Sequence, residues 1–409
     1  MKKAPVSVIM VGICGMGYHY VKALLEDFPE GAVQLVAAVD PFPEDSMIYS
    51  ELKNRDIPVY PDLENCFAEG ERADLTVISS PIQHHVSQSC IALEHGSHVL
   101  CEKPVSAAVQ DVDRLIRIKD LSKRHVRVGY QWSFSSAIQD LKQDIQAGRF
   151  GGPIRMRCLC LWPRNSSYFK RNDWAGRIKD REGRWVLDSP ANNAAAHYLH
   201  NMFYCLGDGI NTSAEPSSIK AEVYRVYHIE NYDSIACRIN TSTGVELLFY
   251  ASHAVQHFFG PVFIFEFDNA VIKYDGMRQK ILAIHKNGLQ KIYGDPDIQP
   301  FRKLRQAVHA VQKKTPVLCG PEAARSQTVC INGIQESVKE VGVFPDEDIH
   351  KNNQGQYWVR DLAETFHQCY LKGMLPSEQG KNWGGKGLPV KLDGYSFFPG
   401  GKFSEASNS

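Results

Sequence analysis

The feature that most constrains this chain is the alternation, over its first 130 residues, of short apolar runs with helix-length amphipathic stretches. Val6–Val11, Val33–Val39, Ala73–Ser79, Ser97–Cys101 and Val126–Tyr130 read as strands, with a short one at Pro58–Tyr60. Between them Tyr18–Phe28, Ile82–His95 and Ser106–Lys123 read as helices. Strands that are apolar throughout must be covered on both faces, and strands joined through helices pair in parallel by right-handed crossovers. The expected fold is therefore α/β, with a doubly wound parallel sheet in residues 1–130.

The pattern then changes. After a helix at Ala137–Ala147, strand-like runs follow one another with turns between them: Ile154–Leu161, Ala221–Val226, Tyr232–Asn240, Val245–His253, Val262–Phe267 and Ala270–Tyr274. Such a succession makes one open, mostly antiparallel sheet. Residues 131–340 are expected to form this second α/β domain, ending in a helix at Pro321–Glu340. Residues 341–409 carry many Gly, Pro, Asn and Gln around one helix, Tyr357–Leu371, and read as a C-terminal extension. Their last stretch, Ser404–Ser409, is expected to fray.

Bulk composition narrows the function. The chain carries 46 Lys and Arg against 46 Asp and Glu, so no basic excess exists for a nucleic-acid surface. No segment approaches the roughly 20 apolar residues of a membrane span. The apolar stretch behind Met1-Lys2-Lys3 is too short for a signal peptide. Eleven cysteines without a CxxC pair read as reduced thiols of a cytoplasmic protein.

Gly12-Ile13-Cys14-Gly15-Met16-Gly17 lies between the first strand and the first helix, where a dinucleotide fingerprint has the form G-x-G-x-x-G. Gly12 fits the tight turn and Gly17 the close packing of helix on strand. Cys14 stands where glycine lets backbone approach a pyrophosphate, a departure that the adjacent Gly15 can relieve. The helix-start amides, from Met16 on, would face the phosphates. Asp40 ends the second strand, placed to accept hydrogen bonds from ribose hydroxyls. A carboxylate there repels a 2′-phosphate, and Pro41-Phe42 supply no cation, so NAD is expected over NADP.

Glu102-Lys103-Pro104 follows the strand Ser97–Cys101, at the strand end where ligands of open parallel sheets lie. A lysine there can exchange a proton with a substrate hydroxyl while a hydride moves to or from nicotinamide. Its ammonium, with a reference pKa of about 10.4, must fall by roughly 3 units to act as a base near neutrality. Burial and a cationic nicotinamide both push that way.

On the Gly12–Gly17 turn, on Ser80-Pro81-Ile82-Gln83-His84-His85, on the string from His95 through Glu102-Lys103-Pro104, and on Val128-Gly129-Tyr130, the chain resembles the Gfo/Idh/MocA oxidoreductases. The resemblance covers about residues 6–340. It implies a Rossmann domain, then an α/β domain whose open sheet carries the substrate face and often makes subunit contacts, hence a homo-oligomer. It implies NAD(P)-dependent oxidation or reduction of a sugar or cyclitol carbon, with Lys103 catalytic. By the same likeness Ser80, Pro81, His85 and Glu102 border the cofactor.

Ser189–Leu206 reads as one helix, with Ser189 as N-cap, Pro190 in the first turn and Gly207 as stop. Ala195, Leu199, Met202 and Leu206 share one stripe; Asn193, His197 and His200 share the opposite one. Family members have a similar helix with an aspartate four residues before a catalytic histidine. By that match His197 is the histidine, Asn193 replaces the aspartate, and His200 stands where a second aspartate often follows. Lys103 and His197 would manage the hydroxyl proton, with Asn193 and His200 on the substrate. His197 and His200 have a metal-compatible spacing but no evident third ligand, so no metal is expected. Tyr130 and Trp132 are expected to face the cleft. Trp174, within a loop of interleaved Trp, Arg and Lys, is expected to stack on a polar ring.

Two other readings stay open. Some relatives keep NAD bound, oxidise a sugar transiently, eliminate the glycosidic substituent and reduce again; the altered Asn193 and His200 suit such a redox-neutral glycosidase. Others sense sugars without catalysis, which the retained Lys103 and His197 argue against.

Overall fold

A computed structural model describes residues 4–299, 301–313 and 315–401. They form two compact units. Among the described residues, the first takes those within 4–106, 110–134 and 299–324; the second takes those within 107–109, 135–298 and 325–401.

The first unit begins β1 (Val6–Val11), α1 (Met16–Glu26), β2 (Val33–Val39), α2 (Tyr49–Asn54), β3 (Val59–Tyr60), α3 (Leu63–Ala68) and β4 (Leu75–Ile78). It continues α4 (His85–Glu94), β5 (His98–Cys101), α5 (Val109–Ser122) and β6 (Val126–Val128). The six strands lie in the order β3-β2-β1-β4-β5-β6, all parallel. This is the doubly wound sheet expected from the sequence, with its strand order reversing between β1 and β4, where such sheets bind ligands. The residues explain it. All of β4 is buried, and so is β1 except Ser7. α1 turns Gly17, Tyr20, Val21 and Leu24 inward at spacings of three and four, and these pack on Val8, Met10 and Val77.

The second unit opens with α6 (Ser136–Gln146), β7 (Pro153–Leu161), α7 (Ser166–Phe169) and α8 (Ala196–Cys205). Strands β8 (Pro216–Arg225), β9 (Ser234–Thr241), β10 (Glu246–Ser252), β11 (Phe259–Phe267), β12 (Ala270–Asp275), β13 (Lys280–His285) and β14 (Gln290–Gly294) follow. After them the chain passes through α9 (Arg302–Lys313), which belongs to the first unit, and continues with α10 (Pro321–Ser337), β15 (Gly342–Val343), the hairpin β16 (Ile349–Lys351) and β17 (Tyr357–Val359), α11 (Leu362–Lys372) and β18 (Val390–Lys391). The large sheet runs β14-β13-β12-β11-β7-β10-β9-β8-β15, with β18 also on β8. Only the β7–β10 and β8–β15 pairs are parallel, so this sheet is mostly antiparallel.

Three features differ from the sequence reading. α9 was not expected, and it belongs to the first unit, where Leu304, Ala307 and Val308 join the core around β1. Its apolar stripe is narrow among Arg302, Lys303, Arg305, Gln306, Gln312 and Lys313, which hides it in a region dominated by strands. Tyr357–Val359 is a strand, and α11 starts only at Leu362. The residues after 341 do not stand apart. Phe344, Val359, Leu362, Phe366, Tyr370, Leu375 and Trp383 make one core with Leu159, Leu161, Leu248 and Tyr250 of β7 and β10. That part of the sheet, expected to carry subunit contacts, is thus covered by the chain's own C-terminal residues. Ser404–Ser409 lies outside the described residues.

Candidate functional site

Strand register gathers the first unit's motifs along one edge. Val39, Val11, Ile78, Cys101 and Val128 are successive register partners across β2, β1, β4, β5 and β6. The next residue of each strand is therefore Asp40, Gly12, Ser79, Glu102 or Gly129. These lie in a row at the carboxyl ends of the strands. The amides continue the ladder one step further: Gly12 N donates to Val39 O at 2.8 Å, Ser79 N to Val11 O at 2.8 Å, and Glu102 N to Ile78 O at 2.8 Å.

The glycine turn has the shape its sequence suggests. Gly12 sits at φ +79°, and a Cβ there would come within 2.9 Å of the Ser79–Ser80 backbone. A Cβ on Gly17 would lie 1.9 Å from Gly12 O, so helix and turn close only on glycine. Gly15 takes φ +52° with open space around it. It precedes α1 as N-cap and offers no side-chain cap, which leaves the first helical amides to an outside acceptor. Cys14 and Met16 are exposed on the same turn. Asp40 braces it: Oδ2 accepts from Ile13 N at 2.9 Å and Oδ1 from Phe42 N at 3.0 Å. Each carboxylate oxygen accepts more than one hydrogen bond, so Asp40 can brace the turn and still receive a ribose hydroxyl. The turn, the open helix start and the acidic strand end fit a dinucleotide.

Ser80 and Pro81 follow β4, half-buried, with Ser80 Oγ donating to Gln88 Oε1 at 2.5 Å. His85 is buried, with Nδ1 2.7 Å from Pro104 O and Nε2 2.8 Å from Ser80 O. Burial pulls its pKa below the usual imidazole value, against the opposing pull of the two carbonyls. A neutral ring donates to only one of them. His85 was expected to border the cofactor; instead its ring bridges the loops after β4 and β5 from within. Glu102 likewise turns its carboxylate inward. Lys103 is half-buried, while the other residues of Cys101–Ser106 are buried.

The second unit holds the other candidates. Along Ala191–Asn201 only Asn193, Ala194 and His197 are half-buried; every other residue is buried. Asn193 and His197 are thus the partly accessible polar residues of this segment. His200 does not join them. It is buried, its ring stacked on Tyr204 at 5.5 Å, and burial followed by the nearby Lys142 holds its pKa down at about 3. A side chain so enclosed does not present itself to a substrate. Asn193 also lies outside the helix, because residues 190–195 form turns and α8 begins at Ala196.

A residue absent from the sequence reading organises this region. Asp188 is buried; Oδ1 accepts from Asn193 Nδ2 at 2.8 Å and Oδ2 from Gly176 N at 2.6 Å. Arg171 lies 3.9 Å from Oδ2, and its guanidinium covers the rings of Tyr168 at 3.9 Å and Trp174 at 5.1 Å. One carboxylate thus ties Asn193 to the loop bearing Trp174. An acidic residue among Trp, Val, Leu and Ser was the available signal. Tyr130 and Trp132, expected at a cleft surface, are buried. The 3-10 turn Gln131–Phe134 packs Trp132, Ser133 and Phe134 inside together.

Fold and strand-end chemistry define a dinucleotide-binding Rossmann domain joined to a second α/β unit. Residues 6–130 match the model of the oxidoreductase family GFO_IDH_MocA, described as an NAD-binding Rossmann fold. Among curated proteins, 144 residues are 31% identical to the 1-carboxy-3-chloro-3,4-dihydroxycyclohexa-1,5-diene dehydrogenase of Comamonas testosteroni, covering 34% of this chain and 35% of that one. Over 87 residues it is 32% identical to inositol 2-dehydrogenase 1 of Saccharopolyspora erythraea, covering 21% of this chain and 26% of that one. The chain thus spans about a third or less of these relatives' length. Among solved structures it is similar to the WlbA dehydrogenase from Chromobacterium violaceum in complex with NADH and UDP-GlcNAcA. The TM-score is 0.66 at 17% identity, over 81% of this chain and 93% of that one, a likeness of fold.

Proposed function

We propose that this protein is an NAD-dependent oxidoreductase acting on a CH–OH carbon of a cyclitol, a sugar or a sugar derivative. The observation that carries this reading is the place of Lys103. It directly follows Glu102, which stands at the carboxyl edge of the sheet in one row with Gly12 and Asp40, in a domain of NAD-binding type. The names of the relatives support the substrate class: a dihydroxycyclohexadiene, an inositol and a nucleotide-linked sugar acid all carry secondary hydroxyls.

NAD, when bound, supplies the hydride acceptor or donor at its nicotinamide ring. The Gly12–Gly17 backbone and the α1 amides hold its pyrophosphate, and Asp40 receives the adenosine ribose. Ser80 and Pro81, just after β4, would border the cofactor. Lys103 takes the hydroxyl proton in oxidation and returns it in reduction, and His197 is the second proton-handling group. Asn193 and Trp174 orient the substrate. All eleven cysteines are free, which fits a reducing, cytoplasmic setting.

An NADH-absorbance screen over monosaccharides, glycosides, inositols and nucleotide sugars, with product analysis, tests this reading. NADH formation with at least one polyol is the expected outcome. Binding of NAD and a sugar without any chemistry would overturn it. Glycoside cleavage with no net NADH would instead establish the redox-neutral reading that Asn193 suggests.

A further inference from the structure

Glu102 heads the Glu102-Lys103-Pro104 run, yet its carboxylate lies in the interior of the first unit. Oε1 accepts from the Tyr20 hydroxyl of α1 at 2.5 Å and from Lys303 Nζ of α9. Oε2 accepts from the backbone N–H of Lys103 at 3.1 Å. Lys303 Nζ also donates to Gly129 O at 3.2 Å. The side chains of Lys303 and Glu102 are only 1% and 9% exposed. A Cβ on Gly129 would stand 3.0 Å from Glu102 Oε1 and 3.1 Å from Lys303 Nζ, so the glycine of Val128-Gly129-Tyr130 makes room for this pair.

We propose that Lys303 is a positioning residue for Lys103: it neutralises Glu102 from the interior side and so leaves the Lys103 ε-amino group able to give up its proton. The proposal rests on the reading that Lys103 exchanges the substrate proton. Stability alone does not account for the pair, since burying two charges costs about what their attraction returns. Its position does. Lys103 and Glu102 interact electrostatically, and a bare carboxylate there would hold Lys103 as an ammonium. Tyr20, Tyr130, Cys101 and His85 also interact with Glu102. Burial keeps the first three protonated and His85 neutral, so none of them offsets its charge. Among the described residues that interact with Glu102, the compensating cation besides Lys103 itself is Lys303.

The test reads the Lys103 amine directly. Reductive methylation with labelled formaldehyde, assigned by loss of the signal in Lys103→Ala, gives its NMR titration midpoint without cofactor or substrate. In Lys303→Gln, which removes the charge and keeps a donor, the midpoint should rise by about one unit or more. Lys303→Arg should leave it unchanged. Where turnover is measured, the acid limb of its pH profile in the oxidation direction should move up with the midpoint. An unmoved midpoint in Lys303→Gln overturns the proposal. If that variant does not fold, Glu102→Gln with Lys303→Gln removes both charges, a change that buried pairs usually tolerate. Its midpoint should match the wild type within about half a unit, and a larger displacement overturns the proposal equally. A wild type with no NAD-dependent turnover but the expected midpoints would sink the function and leave the charge relation standing. Turnover with an unmoved midpoint would sink only the relation.

Discussion

Adjacent side chains in this chain have opposite duties. Glu102 is anchored inside by Tyr20 and Lys303, while Lys103, one peptide later, is only half-buried. Removing Lys103 should therefore cost chemistry and spare the fold. Lys103→Ala is expected to lower turnover by about 10²–10⁴, the usual contribution of a positioned acid or base. NAD affinity, measured by fluorescence titration, should change little, because the glycine turn and Asp40 are untouched. Unchanged turnover in a folded variant would remove Lys103 from the mechanism. Asp188 presents the reverse case, a buried carboxylate that accepts from Asn193 and from Gly176 N. Asp188→Asn puts an amide N–H against one of those donors. The expected loss is about 1.5–3 kcal/mol in denaturant unfolding, the range for a hydrogen bond to a charged group. The KM for any accepted polyol should rise as Asn193 and the Trp174 loop come loose. An unfolding midpoint equal to wild type would show that this carboxylate is not the anchor.

At the scale of elements, the turn between β1 and α1 offers the sharpest test. Gly17→Ala would push a methyl to 1.9 Å from Gly12 O, which no rotamer can relieve. The variant should lose about 1–3 kcal/mol, as overpacked sites do, and bind NAD more weakly because the first amides of α1 shift. Stability and affinity both unchanged would mean the turn is looser than its geometry. This turn was legible in the sequence because everything that shapes it is local: two apolar runs, three glycines, a helix start. The place of Lys103 just after β5 was legible for the same reason. The start of α8 was not. Ser189 does accept a turn hydrogen bond from Asn192 N at 3.2 Å, as an N-cap would. The helix nevertheless waits until Ala196, because Asn192 donates to Val186 O, Asn193 to Asp188, and Gln327 reaches across to Ala191 O. Asn side chains that bond backbone and distant partners hold the chain in turns where local preference favours helix. Lys303, two hundred positions from Glu102, gave no local signal at all.

Across the whole molecule, several buried imidazoles make the fold sensitive to acid. Burial holds His98 down at about 4, and His200 and His253 at about 3, so all three stay neutral in the folded chain well below the pH at which they charge when unfolded. Groups with a depressed folded pKa contribute stability that is present above their unfolded value and lost as pH falls towards the folded one. For these histidines the loss begins near pH 6.5 and continues towards pH 4 and below. Asp233 works the other way. Burial, only partly offset by the amides of Val226 and Tyr227, raises its carboxyl to about 6, so its contribution is present at low pH and lost as pH rises through that value. Between about pH 4 and 6 the unfolded chain binds protons that these histidines, with His85 and His125, lack when folded, while folded Asp233 and Asp111 hold protons that their unfolded carboxyls lose. The depressed histidines outnumber the raised carboxyls, so protons are taken up on unfolding and stability falls as pH falls across that window. Thermal unfolding followed at half-unit steps from pH 7 to pH 4 should show a steadily falling midpoint. His200→Asn, which cannot charge, should flatten the slope by about one proton. A midpoint that holds level, or rises, as pH drops from 6 to 4 would mean that these imidazoles are open to water in the folded chain.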